Sequence, residues 1–283
     1  MEIEINNIKE DIIIGCFENE RHNKQPIVVD LNVHLYPFNW IDDDKLDKTV
    51  NYETLQDYVR QIIKRTEFQL LETLAQHISK KVLEEFKLIK SISLKLTKPL
   101  VCDIRKSDIS VKINLHRKFK VAIALGSNYI HTPIRQLVNA TTILGEHISE
   151  IAVGNFYETK PFGYKDQPNF YNTAIIGYTT LKPEELLGKA KEIEKLMGKQ
   201  ELLVNGPRVI DIDLIFFDDL IYTHNFLTIP HKDAHLRDFV LKPLADITPD
   251  WIHPTIGKSV QDILNELPKD NLFILKQVSY SKE

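Results

Sequence analysis

The chain is poor in cysteine, with two among 283 residues. Cys16 and Cys102 cannot build a disulfide framework and have no metal-site spacing, so they fit a reducing, cytoplasmic setting. No stretch approaches the ~18 consecutive apolar residues that a membrane-spanning helix needs. The opening Met1-Glu2-Ile3-Glu4-Ile5 has neither the charged nor the apolar region of a secretory leader, so none is expected. An excess of one charge is also missing. A formal net charge of −4 argues against a non-specific nucleic-acid partner or a membrane surface. Local basic pockets for small anions remain compatible with it. No internal repeat or low-complexity tract is visible.

What is there suits two domains, since 283 residues exceed a typical single core. The first part alternates in strand fashion over residues 2–14 and 27–35. Two amphipathic helices are predicted next. Residues 52–64 carry Leu55, Val59, Ile62 and Ile63 behind an Asn51 cap, and residues 70–86 carry Leu71, Leu74, Ala75, Ile78, Val82 and Phe86. Strands over 92–97 and 109–115 complete an α+β unit with a largely antiparallel sheet. A short basic run ends near Lys118, where the boundary is placed, giving domains of 1–117 and 119–283. The second part reads as a strand (119–125), a Gly126-Ser127-Asn128 loop, and a helix with Thr132 as cap and Pro133 at its first position. Strands near 151–157 and 171–178, a helix near 183–197, a further strand and a Pro- and His-rich tail follow.

The further strand is the most informative segment. Asn205-Gly206-Pro207-Arg208 leads into Val209-Ile210-Asp211-Ile212-Asp213-Leu214-Ile215-Phe216-Phe217. Alternate side chains of a strand share a face, so Asp211 and Asp213 point the same way, with Cα atoms about 7 Å apart. Two anions on one face are costly unless a cation lies between them. The pair reads as a Mg²⁺ site with Arg208 aimed at a polyphosphate, or as a capped or salt-bridged pair. Gly126-Ser127-Asn128 reads as a place where backbone amides meet phosphate, or as an ordinary turn.

The motifs Ala124-Leu125-Gly126-Ser127-Asn128, Asp166-Gln167-Pro168 with Asn172, Gly206-Pro207-Arg208 through Asp213, and Pro230-His231 occur in that order. With them, residues from about 119 to 280 resemble 6-hydroxymethyl-7,8-dihydropterin pyrophosphokinase. The resemblance implies a ferredoxin-like fold and transfer of a diphosphate from ATP to a pterin hydroxymethyl group, releasing AMP. It implies two Mg²⁺ ions on Asp211 and Asp213, with Arg208 among the catalytic groups. It places Glu194, Lys199, Arg208, Thr228, His231 and Arg237 towards ATP, Phe170 and Phe239 on the two faces of the pterin, and Thr159 and Asn172 at its polar edge. Two departures from the family pattern stand out. Asn205 replaces a frequent Trp, and Gly198 is followed by Lys199-Gln200-Glu201 instead of two arginines. A lysine replaces a charge but not a bidentate fork.

In the first part Glu20, Tyr52, Glu72 and Lys98 read individually as a solvated loop residue, a half-buried aromatic, a first-turn glutamate and a surface charge. With Ile14-Gly15, Gln25, Val50-Asn51-Tyr52, Leu70-Leu71-Glu72-x-x-Ala75 and Leu96-Thr97-Lys98-Pro99, however, residues 1–117 resemble dihydroneopterin aldolase. The resemblance implies a T-fold and a metal-free retro-aldol cleavage of dihydroneopterin. Lys98 would be the base and Tyr52 the proton donor, Glu72 and Leu71 would bind the pterin, and Glu20 its side chain. It also implies a homo-oligomer, a tetramer or octamer built through this domain. The combined expectation is a bifunctional folate-biosynthesis enzyme. Rival readings are an epimerase of dihydroneopterin triphosphate, a sugar-nucleotide transferase using Asp-x-Asp, and a non-catalytic pterin- or nucleotide-binding module.

Overall fold

In the computed structural model, residues 1–36, 45–99, 107–129, 131–163, 165–199, 206–224 and 226–280 are described. Cys102, Asn205 and the Gln200-Glu201 segment lie outside them. The chain divides into two units, Met1–Arg117 and Lys118–Glu283. Both are α+β. No helix among the described residues is long and apolar enough to cross a membrane.

In the first unit, alternating sequence produces β1 (Glu2–Ile12), β2 (Gln25–Leu35), β3 (Ile89–Lys98) and β4 (Ile109–His116). They pair antiparallel in the order β1-β2-β3-β4. A short helix, α1 (Glu18–His22), lies between β1 and β2, so Glu20 sits on a helical turn and not in the expected loop. Two longer helices, α2 (Tyr52–Lys64) and α3 (Leu71–Glu85), cover the sheet through Leu55, Val59, Ile63, Leu74, Ile78 and Val82. Each such aliphatic side chain contributes about 2 kcal/mol by leaving water. The Asn51 side chain caps α2 by accepting from the amides of Glu53 and Thr54.

The second unit is built on β5 (Phe119–Ser127), which pairs on one side with β8 (Phe170–Thr179) and on the other with β9 (Asp211–Phe217). Pairing with β8 draws Gly126 and Ser127 into the strand, and β9 pairs with Gly126 as well, correcting the expected loop. The single strand expected near 151–157 is two, β6 (Ser149–Val153) and β7 (Phe156–Thr159). The chain steps aside at Gly154-Asn155, so β6 lies beside residues 175–178 of β8 and β7 beside 170–172. β10 (Tyr222–His224) and β11 (Leu227–Ile229) pair with each other, and the C-terminal β12 (Ile274–Val278) closes the edge against β7.

Side-chain alternation along β5 separates two cores. Val121, Ile123 and Leu125 face α4 (Pro133–Leu144) and α5 (Pro183–Leu196). Ala122 and Ala124 face the opposite side, covered by α6 (Asp238–Ala245) and α7 (Val260–Asn265). The tail expected after β9 therefore supplies half of the sheet's cover. Thr132 does not cap α4 through its side chain. Its hydroxyl instead accepts a long hydrogen bond, 3.5 Å, from Gln136.

Candidate active sites

The strand registers of the second unit determine which side chains meet. Gly126 lies opposite Asp211 on one side and Asn172 on the other, and Ala124 lies opposite Asp213. Thr159 lies opposite Phe170. Residues directly opposite share a face, so Asp211, Asp213, Asn172, Phe170 and Thr159 look out on the side that carries α6. Ala124 and Gly126 have little or no side chain to fill that side. A Cβ on Gly126 would come within 2.9 Å of the Asn172 amide oxygen. The result is an open cleft floored by Ala124 and Gly126 and walled by Thr159, Phe162, Phe170, Asn172, Arg208, Asp211, Asp213, Arg237 and Phe239.

One end of the cleft is aromatic and polar-edged. Asn172 Nδ2 donates to Thr159 Oγ1 at 2.8 Å, which fixes both side chains. The Arg237 guanidinium lies 4.9 Å from the Phe162 ring centre and 5.8 Å from that of Phe239. Phe162 is a wall residue that the sequence reading missed. Its only sequence signal is an aromatic residue beside Gly163 in a polar loop.

The other end is charged. Arg208 Nη1 donates to Asp211 Oδ2 at 2.6 Å, and Lys199 Nζ to Asp211 Oδ1 at 2.8 Å. Burial alone would raise the Asp211 pKa, but the Arg208 and Lys199 charges outweigh it and hold the group below the usual carboxylate range. Asp213 differs. Burial first, and then the Asp211 charge, push it up to about 6. No hydrogen bond to its carboxylate is present among the described residues. An under-neutralised carboxylate beside a neutralised one suits a hard divalent cation whose other ligands are phosphate and water. Among the described residues no group of three or more His, Cys, Asp or Glu side chains could hold a metal, so a ligand would have to complete the coordination.

Asp213 also borders a second cavity, lined by Lys191, His224, Phe226, Thr228, His231 and Lys232. The structure thus brings Thr228 and His231 to the far side of Asp213, while Arg237 stays in the cleft. Burial, then the Arg237 charge, lower the His231 pKa. Glu194 walls neither cavity. It is 3% exposed. Its oxygens accept from the Ile212 amide at 2.7 Å, from Lys191 at 2.9 Å and from Lys199 at 2.9 Å, a bracing position behind β9. Asn128, also unassigned by sequence, braces the Arg208 backbone. Its Oδ1 accepts from Arg208 N at 2.7 Å while its Nδ2 donates to Gln167 at 3.0 Å.

In the first unit, Lys98 is 6% exposed at the end of β3. Its ammonium pairs with the Glu20 carboxylate and reaches the Ile14 carbonyl at 3.4 Å. Burial opposes ionisation of Glu20, but hydrogen bonds from Lys98 and the Phe17 amide lower its pKa overall. Gln25 donates to the same Ile14 carbonyl at 2.9 Å. Gly15 has φ +133°, and a Cβ there would overlap the Glu20 side chain. Tyr52 is 67% exposed, Glu72 is exposed and Leu71 half-buried at the start of α3. Among the described residues neither Tyr52 nor Glu72 hydrogen-bonds to the Lys98–Glu20 pair.

Residues 122–249 match the model of the family described as 7,8-dihydro-6-hydroxymethylpterin-pyrophosphokinase. A 2-amino-4-hydroxy-6-hydroxymethyldihydropteridine pyrophosphokinase of Aquifex aeolicus is 36% identical over 146 residues, which are 52% of this chain and 91% of that protein. The chain belongs to this pyrophosphokinase family. The pyrophosphokinase half is preceded by a second match, of residues 3–114 to the dihydroneopterin aldolase family. Both resemblances drawn from the motifs are thus found, in the same order. The folic acid synthesis protein fol1 of Pneumocystis carinii is 32% identical over 93% of this chain and 38% of its own length. The corresponding protein of Dictyostelium discoideum is 32% identical over 90% of this chain and 43% of its own length. The chain thus spans about two-fifths of the length of these two longer relatives.

Proposed function

We propose that the chain is a bifunctional enzyme of folate biosynthesis. Its first unit cleaves dihydroneopterin to 6-hydroxymethyl-7,8-dihydropterin and glycolaldehyde, and its second transfers a diphosphate from ATP to that product. The observation that carries the second activity is the position of Asp213. It stands between a cleft walled by Phe170, Phe239, Thr159 and Asn172 and a cavity walled by Thr228 and His231. A flat heterocycle fits between the two phenylalanines, with its polar edge on the Thr159–Asn172 pair. ATP enters from the side of Thr228 and His231, so that its phosphates meet the hydroxymethyl group over the two aspartates. The substrate hydroxyl oxygen bonds to the β-phosphorus and loses its proton, the bond to the α-phosphate oxygen breaks, and AMP leaves. Arg208 and Arg237 balance charge on the moving group. Mg²⁺, held by Asp211 and Asp213, would neutralise the phosphates and align them. AMP and a pterin diphosphate are the expected products from ATP and hydroxymethyldihydropterin. ADP as the product would contradict the assignment.

A carboxylate binds metal only when ionised. Below its pKa, each pH unit weakens metal binding about tenfold by proton competition. With Asp213 near 6, Mn²⁺ affinity in the absence of nucleotide is expected to be about tenfold weaker at pH 5 than at pH 7. Titration followed by Mn²⁺ electron paramagnetic resonance measures this. An affinity independent of pH over that range would remove Asp213 from the metal site.

In the first unit the ring C=N of the substrate accepts the electron pair of the breaking C–C bond. Lys98, once its own ammonium proton has passed to solvent, takes the side-chain hydroxyl proton, and Tyr52 protonates the carbon left behind. Glu72 accepts two parallel hydrogen bonds from the amino–imide edge of the pterin. Glu20 accepts from the side-chain hydroxyls, which draws it away from Lys98. The exposure of Tyr52 and Glu72, which make no hydrogen bond to the buried Lys98–Glu20 pair among the described residues, supports a site completed by a second copy of the chain. Gly15→Ala displaces the Glu20 carboxylate and is expected to lower cleavage by about tenfold or more, the order of one lost positioning contact. Steady-state kinetics on dihydroneopterin checks this, with diphosphate transfer as the internal control.

A further inference from the structure

Asp238 lies directly behind this cleft, although its side chain does not line it. It stands between Arg237 and Phe239, which both do. It is 3% exposed, a costly place for a carboxylate. Its Oδ2 accepts from the amides of Phe273 at 2.8 Å and Ile274 at 2.9 Å. Its Oδ1 accepts no well-formed hydrogen bond, although the Phe239 amide in the first turn of α6 lies close enough to favour its charge. A buried, half-satisfied polar group of this kind calls for a reason. The reason lies in what it ties together. Phe273 leads into β12, and its ring meets Phe239 edge-on at 5.8 Å and Phe162 edge-on at 5.5 Å. The Phe273 carbonyl accepts from the Lys160 amide at 2.9 Å, on the loop that carries Phe162. One carboxylate thus fastens a C-terminal ring that props Phe239 and Phe162, two lining residues supplied by segments about 80 residues apart in sequence.

We infer that Asp238 is a positioning residue for the pterin. Through Phe273 it sets the position and tilt of Phe239, one face of the slot into which the heterocycle slides, and of Phe162 beside it. This rests on the diphosphotransferase reading of the cleft. Its effect falls on the pterin and not on the nucleotide, because neither Asp238 nor Phe273 borders the cavity of Thr228 and His231. Asn at 238 keeps an oxygen to accept from both amides; Ala leaves both amides unpaired.

Fluorescence titration of the full chain with 6-hydroxymethylpterin, and calorimetry with Mg-ATP, separate the possibilities. Asp238→Ala is expected to weaken pterin binding about tenfold, the scale of one aromatic wall misplaced, with Mg-ATP binding changed less than about twofold. Asp238→Asn is expected to restore pterin binding. Phe273→Leu, which keeps an apolar side chain but removes the ring, is expected to weaken pterin alone and serves if Asp238→Ala fails to fold. Unchanged pterin affinity in Asp238→Ala or Phe273→Leu, equal losses for pterin and ATP, or an Asn variant as weak as Ala would each overturn the inference. Failure of the unaltered chain to bind pterin would instead count against the assigned function of the cleft.

Discussion

Asp213→Asn is expected to lower diphosphate transfer by about a thousandfold while leaving cleavage of dihydroneopterin unchanged. The substitution keeps the shape of the side chain and removes the charge that stands where the cleft meets the cavity of Thr228 and His231. It carries a second expected signature that a merely structural residue would not give. The Asp213 pKa is pushed up to about 6 by burial and by Asp211, above its unfolded value of about 3.9. The ionised form therefore opposes folding at pH values above about 6, and the opposition fades as pH falls through that value. At pH 8 and without metal, the Asn variant should melt at a higher temperature than the parent chain. Quenched-flow assay of AMP release and calorimetric melting test the two signatures together. Retained transfer would remove Asp213 from the phosphate-handling centre, and a lower melting temperature would contradict the electrostatic account.

Lys98→Met carries the second large effect. Cleavage of dihydroneopterin is expected to fall about a thousandfold, within the range lost with a general base, and transfer to supplied hydroxymethyldihydropterin to persist. Lys98 and Glu20 form a buried ion pair, with side chains 7% and 13% exposed. Removing one partner strands the other charge, at a cost of about 3–5 kcal/mol. The single variant should therefore also destabilise the first unit. The double variant Lys98→Met/Glu20→Gln separates the two effects. It should recover most of the stability, because no bare charge remains, and none of the cleavage. Recovery of cleavage in the double variant would show that Lys98 serves the fold and not the proton transfer.

Sequence periodicity located most elements because local patterning and tertiary burial agree there. Leu55, Val59, Ile62 and Ile63 repeat at helical spacing and are the buried residues of α2. Asp211 and Asp213 alternate with Ile212 and Leu214, and the strand turns both carboxylates to the cleft. Disagreements arise where distant partners decide. Gly126 and Ser127 look like a turn on their own, but pairing of both with β8, and of Gly126 with β9, extends the strand through two of the three residues expected as a loop. Residues 151–157 look like one strand, but β8 accommodates them as two. The tail reads as a Pro- and His-rich run because α6 is short and carries Pro243 inside it.

The candidate sites divide along the same line. Motif residues such as Arg208, Asp211, Asn172 and His231 were visible because each sits in a short, ordered pattern. Bracing roles were not. Asn128 holds the backbone of a residue 80 positions away, and the Glu20–Lys98 pair joins residues 78 apart. Phe273 has no signal in sequence at all, since its role exists only once β12 lies against β7. Glu194 was assigned to the nucleotide side, and the fold gives it instead the Ile212 amide and two lysines.

Product analysis starting from dihydroneopterin tests the central claim most directly. Without ATP, the purified chain should release glycolaldehyde and 6-hydroxymethyl-7,8-dihydropterin. Addition of ATP and Mg²⁺ to the same sample should then yield the pterin diphosphate and AMP. A pterin whose side chain is inverted but uncleaved, or a cleaved pterin that ATP and Mg²⁺ leave unaltered, would contradict the two-step account.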